Sequence, residues 1–158
     1  MTIHRRKVLK GLAGTAVAAA TIKMPAVLAQ PAPFKLGLLT VKTGPLAQGG
    51  IQMEQGVLTY LKETNNMIGG RKVEFFSADT GGNPAGTKTK AQELVERDKV
   101  DVILGPLAAF ELYAINDYII QNKMPLLSLA AADDLTQRRP NPFLLRASAT
   151  SSQAMHPM

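Results

Sequence analysis

Cysteine and tryptophan are absent from the 158 residues, and histidine occurs only twice. Without cysteine there is no disulfide framework, no thiolate zinc site and no thiol nucleophile. His4 and His156 stand at opposite ends of the chain, so they do not form a two-histidine metal motif on one helix. No G-x-S-x-G elbow is present, and His156 has no evident triad partner. No G-x-G-x-x-G follows a strand-like run. These absences leave neither a metal nor a cofactor to expect. Apolar runs are short as well: none approaches the ~20 residues that span a bilayer as a helix. What remains is 46% apolar and 19% charged, the proportions of an ordinary globular protein. The length points to one domain.

The formal net charge of +6 suggests an anionic partner until its distribution is examined. Arg5, Arg6, Lys7, Lys10 and Lys23 all precede residue 30, and no acidic residue does. After the basic start comes a run of small apolar residues, Gly11 to Ile22, and then Ala26-Val27-Leu28-Ala29. Charged start, apolar middle and small-residue end are the three parts of a secretory signal peptide. Arg5-Arg6-Lys7-Val8-Leu9-Lys10 further resembles a twin-arginine export signal, an address read by a receptor. A mitochondrial presequence or a basic disordered tail is the alternative reading. Residues 1–29 are therefore expected to be a signal peptide handled by the twin-arginine export machinery and cleaved near Ala29-Gln30, which places the mature chain in the periplasm. The remaining 129 residues carry 13 basic and 12 acidic side chains, close to neutral. The electrostatic footprint of a nucleic-acid binder disappears with the leader.

Gln30–Pro33 reads as a linker. From residue 34 onward, short β-rich runs alternate with helical ones. The strand candidates are Phe34–Val41, Val73–Ala78, Val100–Leu104, Pro125–Leu129 and Phe143–Arg146. The helical segments are Ile51–Glu63, a stretch opened by Asn83-Pro84 and reaching about Arg97, and Leu107–Asn122. Asn65–Gly70 reads as a break, and Ser151 or Ser152 as a further helix start. Strand–helix alternation with apolar strands predicts a three-layer α/β/α fold around a parallel sheet. Ligands of such sheets bind beyond the C-terminal strand ends. Five loops point there: Thr43–Gly50, Asp79–Asn83, Gly105–Phe110, Ala130–Asp134 and Ala147–Ser151.

Three chemical motifs are weaker than they look. Gly81–Thr89 approaches a phosphate-binding loop, but Thr87 separates Gly86 from Lys88, so a loop followed by a helix start is expected. Asp79 lies at a strand end without the acidic partner that a phosphoacceptor needs near the first strand, and is read as organising its own turn. Asp133-Asp134 reads as a solvated pair. The Gly105-Pro106-Leu107 loop leads directly into a helix, whose free N–H groups attract carboxylates.

The runs FKLGLLTVKTGPLAQGG, NNMIGGRKVEFFSADTGGNPAG, AQELVERDKVDVILGPLAAFELYAI and MPLLSLAAADDLTQRRPNPFLLRASATSSQ, taken together and in order, resemble a known family. It is that of the extracytoplasmic solute-binding proteins of branched-chain amino acid type ABC importers, the type I, leucine-binding-protein-like periplasmic binding proteins. The resemblance covers residues 34–158 and implies most of the first of two lobes, with strand order 2-1-3-4-5. It implies capture of a small ligand, delivery to an inner-membrane permease with its cytoplasmic ATPase, and no catalysis. It also implies a ligand carboxylate at the start of the third helix. The matching residues Leu107, Ala108, Ala109 and Phe110 carry no hydroxyl, and Ala130, Ala131 and Ala132 stand where a threonine is usual. Thr150 or Ser151 replaces the acid that meets an ammonium group. This pattern is similar to the subgroup that takes up aromatic carboxylates such as phenylpropanoids and benzoates, with a branched-chain amino acid as the other candidate. Gln48 and Ser148, in the first and last of the five loops, complete the expected ligand-binding set. A ligand-sensing receptor or regulator of the same fold and a secreted α/β enzyme are the two other functional readings.

Overall fold

The computed structural model describes residues 31–155. The expected signal peptide and its twin-arginine motif lie outside the described residues. Six strands form one sheet: β1 (Phe34–Thr40), β2 (Met67–Ile68), β3 (Arg71–Asp79), β4 (Val102–Leu104), β5 (Leu126–Ser128) and β6 (Leu144–Arg146). Four helices accompany them: α1 (Ala47–Glu63), α2 (Pro84–Gln92), α3 (Ala109–Asn122) and α4 (Ser151–Met155). Wider π-type turns follow at Glu93–Arg97 and Asp134–Arg138. The strand order is β2-β3-β1-β4-β5-β6. Its five parallel members carry the expected 2-1-3-4-5 arrangement. The additional strand β2 lies within the segment read as a break and pairs antiparallel with Arg71 and Lys72. Two residues are too few for any periodicity, so β2 exists only through its neighbour.

Alternation of side chains along the strands divides the core. On one face Leu39, Ile103, Leu126 and Leu144 pack with Ala91 and Leu94 of the α2 segment and Leu112, Ile115 and Ile119 of α3. On the other, Leu36 and Val73 pack with Leu61 of α1, with Val57 beside them. β1 is central and buried on both faces; Leu38, Leu39 and Val41 have no exposure. α1 approaches closely because residue 50 is glycine: a Cβ there would overlap the Val41 carbonyl. The Thr40 hydroxyl fixes the same contact by donating to the Gly50 carbonyl at 2.8 Å.

The face that carries α1 is only partly covered. Leu104 and Leu127 join Gly56 and Val57 of α1 in lining two adjoining apolar hollows of about 290 and 490 Å³. Leu145, on the edge strand, remains 71% exposed.

Candidate ligand-binding site

Because the five main strands are parallel, their C-terminal ends share one edge of the molecule. The loops there are cross-linked by buried polar groups. Ser128, at the end of β5, donates its hydroxyl to the Pro106 carbonyl at 3.1 Å and accepts the Ala130 N–H at 3.0 Å. It thereby ties the loop after β4 to the loop after β5. The Gly105 N–H donates to the Leu127 carbonyl at 2.8 Å. Gly105 has φ +95°, and a Cβ there would overlap the Leu39 carbonyl, so only glycine fits this approach. Asp79 organises the neighbouring turn. It accepts the Lys42 N–H at 2.8 Å, the Gly81 N–H at 2.9 Å and the Thr43 hydroxyl at 3.1 Å. Burial alone would raise its carboxyl, but these donors and the Lys42 charge hold it below the usual carboxylate range.

Helix α3 starts at this edge with an unusual terminus. Its N-cap is Ala108, which has no side-chain acceptor for the first N–H groups. Glu111 takes the Ala108 N–H at 3.2 Å, and its other oxygen accepts the Thr80 hydroxyl at 2.5 Å with Thr87 Oγ1 at 3.2 Å. Glu111 is wholly buried and is thus satisfied by α2 and the loop before it. The N–H groups of Ala109, Phe110 and Glu111 find no acceptor among the described residues. Two of these orphan donors, those of Ala109 and Phe110, belong to residues that are not buried, at the positive end of the helix dipole.

A pocket of about 220 Å³ opens beside them, lined by Ala109, Tyr113, Ala131, Ala132, Asp133, Asp134, Arg138 and Ser151. Of the expected ligand-binding set, Ala109, Ala131 and Ala132 line this pocket. Leu107 and Ala108 lead into α3 behind it. Ala130 is buried, and Phe110 is 44% exposed on a different side of the helix. Gln48 is exposed in the first turn of α1, not in a loop, because α1 begins at Ala47 rather than Ile51. The start of α1 adjoins Leu107: a Cβ on Gly49 would stand 3.3 Å from its Cδ2. Thr150 is buried and caps α4. Its hydroxyl accepts the Gln153 N–H at 2.9 Å while Gln153 Oε1 accepts the Thr150 N–H at 2.9 Å, a capping box. The Ser148 hydroxyl is buried without a hydrogen-bond partner among the described residues.

Tyr113, Asp133, Asp134, Arg138 and Ser151 complete the wall. Tyr113 stands four residues beyond Ala109, so helical spacing was the signal for it. Asp133 differs from a solvated loop acid. Its Oδ2 accepts the Ser152 N–H at 3.2 Å, and its Oδ1 lies 3.9 Å from Arg146 Nη1. Burial would raise its carboxyl, yet the Ser152 hydroxyl and N–H, the Thr150 hydroxyl and the Arg146 charge hold it below the usual range. Asp134 pairs with Arg138 at 2.8 Å across the π-type turn. Ser151 donates its hydroxyl to the Ala131 carbonyl at 2.6 Å, which clasps α4 to the pocket wall.

The sequence profile of the periplasmic binding proteins matches residues 33–158 of this chain. The chain belongs to the periplasmic binding protein family. It is 28% identical over 151 residues to a Leu/Ile/Val-binding protein homolog 6 of Brucella abortus, covering 95% of this chain and 38% of that protein. Among solved structures it resembles an ABC transporter substrate-binding protein from Sphaerobacter thermophilus, with 31% identity and a TM-score of 0.73 over 77% of this chain and 33% of that one. It also resembles a solute-binding protein of an ABC transporter from Rhodopseudomonas palustris BisB5 in complex with 3,4-dihydroxy benzoic acid. There the identity is 33% and the TM-score 0.71, over 77% of this chain and 33% of that one. The chain thus spans between a third and two fifths of the length of these relatives. Family and fold are those of transport-associated binding proteins rather than enzymes.

Proposed function

We propose that this periplasmic binding protein is the ligand-capturing part of an exported component of an ABC importer. Its ligand is a small aromatic carboxylate, passed on to an inner-membrane permease with its cytoplasmic ATPase. The observation that carries the reading is the start of α3: an alanine N-cap leaves three N–H groups without acceptors beside a pocket. A ligand carboxylate supplies the missing acceptor, as a side chain would at an ordinary N-cap. The bound dihydroxybenzoic acid in the 33% identical relative supports the aromatic class.

A branched-chain amino acid is the competing ligand, favoured by the name of the Brucella relative and by two carboxylates on the pocket wall. Asp134 is paired with Arg138, and one Asp133 oxygen accepts the Ser152 N–H, while Asp133 Oδ1 is buried 3.9 Å from Arg146 with no hydrogen-bond partner among the described residues. Because that oxygen is buried beside the Arg146 charge, an ammonium group reaches it only by opening its cover, and otherwise stays unpaired at a cost of several kcal/mol. At about 220 Å³ the pocket is also smaller than the ~300–1,000 Å³ of a complete small-molecule site. One wall of a site implies weak binding, on the order of millimolar, by this chain alone.

The test is an NMR titration of the chain with 3,4-dihydroxybenzoate, 4-hydroxybenzoate, benzoate, leucine, isoleucine and valine. Amide shifts at Ala109–Glu111 caused by the aromatic acids are expected. Shifts caused by the amino acids alone would overturn the ligand class. Export has its own test: replacing Arg5 and Arg6 by lysine should retain the precursor in the cytoplasm, and unimpaired export would remove the twin-arginine route.

A further inference from the structure

We infer that Tyr113 is the residue against which the ring of the bound carboxylate rests, and that it sets the preference for aromatic acids; this builds on the carboxylate reading above. Three observations converge on it. Ala109 and Tyr113 line the same pocket one helical turn apart, so one helix face carries both the anion-binding start and the phenol ring. Side chains on an α-helix lean back toward its N-terminus, which tilts the Tyr113 ring toward the helix start that carries the unpaired N–H groups of Ala109 and Phe110. The ring is 47% exposed, and its hydroxyl has no hydrogen-bond partner among the described residues.

Phe110 has comparable exposure but is about 100° round the helix from Ala109 and does not line the pocket. Its part in the site is its backbone N–H. Tyr113 offers two things that an aliphatic residue would not. Its π face stacks on, or takes the edge of, an aromatic ligand. Its free hydroxyl meets a polar group on the ligand ring, in a wall that also holds Ser151 and Arg138. The ligand class that fits is a benzoate-sized carboxylate with a hydroxyl on the ring.

The experiment is the same NMR titration on the wild-type chain and on Tyr113→Phe, Tyr113→Leu and, as a control outside the pocket, Tyr60→Ala. The spectra themselves show whether each variant is folded. For 3,4-dihydroxybenzoate, Tyr113→Leu should raise the Kd about threefold to tenfold, with Tyr60→Ala unchanged. Tyr113→Phe should retain benzoate binding but bring dihydroxybenzoate and benzoate closer together in affinity. Wild-type affinity for dihydroxybenzoate in Tyr113→Leu would overturn the inference while leaving the aromatic reading intact. Amide shifts from leucine with none from any aromatic acid would overturn both.

Discussion

At the scale of single residues, the edge formed by the C-terminal strand ends depends on groups that admit no substitute. Gly105 is the sharpest case, since its φ of +95° and the Leu39 carbonyl both exclude a side chain. Gly105→Ala should lose on the order of 3 kcal/mol of stability, read as a lowered urea midpoint. A change below half that would mean the loop relaxes freely. Asp79 makes a different demand, on pH. Its folded-state carboxyl titrates below the ordinary range, so its contribution is present above about pH 4 and is lost as the pH falls through the folded-state value. Asp79→Asn should therefore cost about 1–2 kcal/mol at neutral pH, and should flatten the fall in stability of the wild type in acid. Parallel acid curves for the two proteins would contradict the assignment.

At the scale of elements, α4 is a five-residue helix that holds through its cap and its clasp rather than through burial. Thr150→Ala removes the acceptor for the Gln153 N–H and should cost about 1 kcal/mol. The loss should appear as fraying of α4 and new amide shifts at Ala131 and Asp133, with the remainder of the spectrum unmoved. Shifts spread through the sheet would show that Thr150 is a core residue instead. The elements differed in how plainly they were written in the sequence. Strands β1, β3 and β4 are apolar runs closed by glycine, proline or polar turns, and α2 announces itself by Asn83-Pro84, whose Oδ1 accepts the Gly86 N–H at 2.8 Å. The start of α1 was hidden because Ala47-Gln48-Gly49-Gly50 has poor helix propensity and becomes helical only by packing on Val41. The π-type turn at Asp134–Arg138 has no periodic signature at all, so Arg138 was not legible as a pocket residue. Tyr113 was legible by its spacing from Ala109, but nothing in the sequence says which helix face meets Ala131 and Ser151. That meeting is made by the fold.

At the scale of the whole molecule, the sheet is unequal across its width. β1 is paired on both sides and covered on both faces, whereas β5 and β6 have α1 on neither strand's outer face and end at an exposed edge. The described structure should accordingly unfold by degrees rather than as a block. Native-state hydrogen exchange would see this as a gradient: the amides of Leu38 and Leu39 exchange only through global opening, those of Leu145 and α4 through local opening at much lower free energy. Equal protection of β1 and β6 would contradict it. The pocket is built from the β5–β6 side of that gradient, with Ala131, Asp133 and Ser151 on its wall. On the proposed reading a ligand would deliver its binding energy to the softest part of the sheet, and an occupied pocket should slow exchange there while leaving β1 untouched.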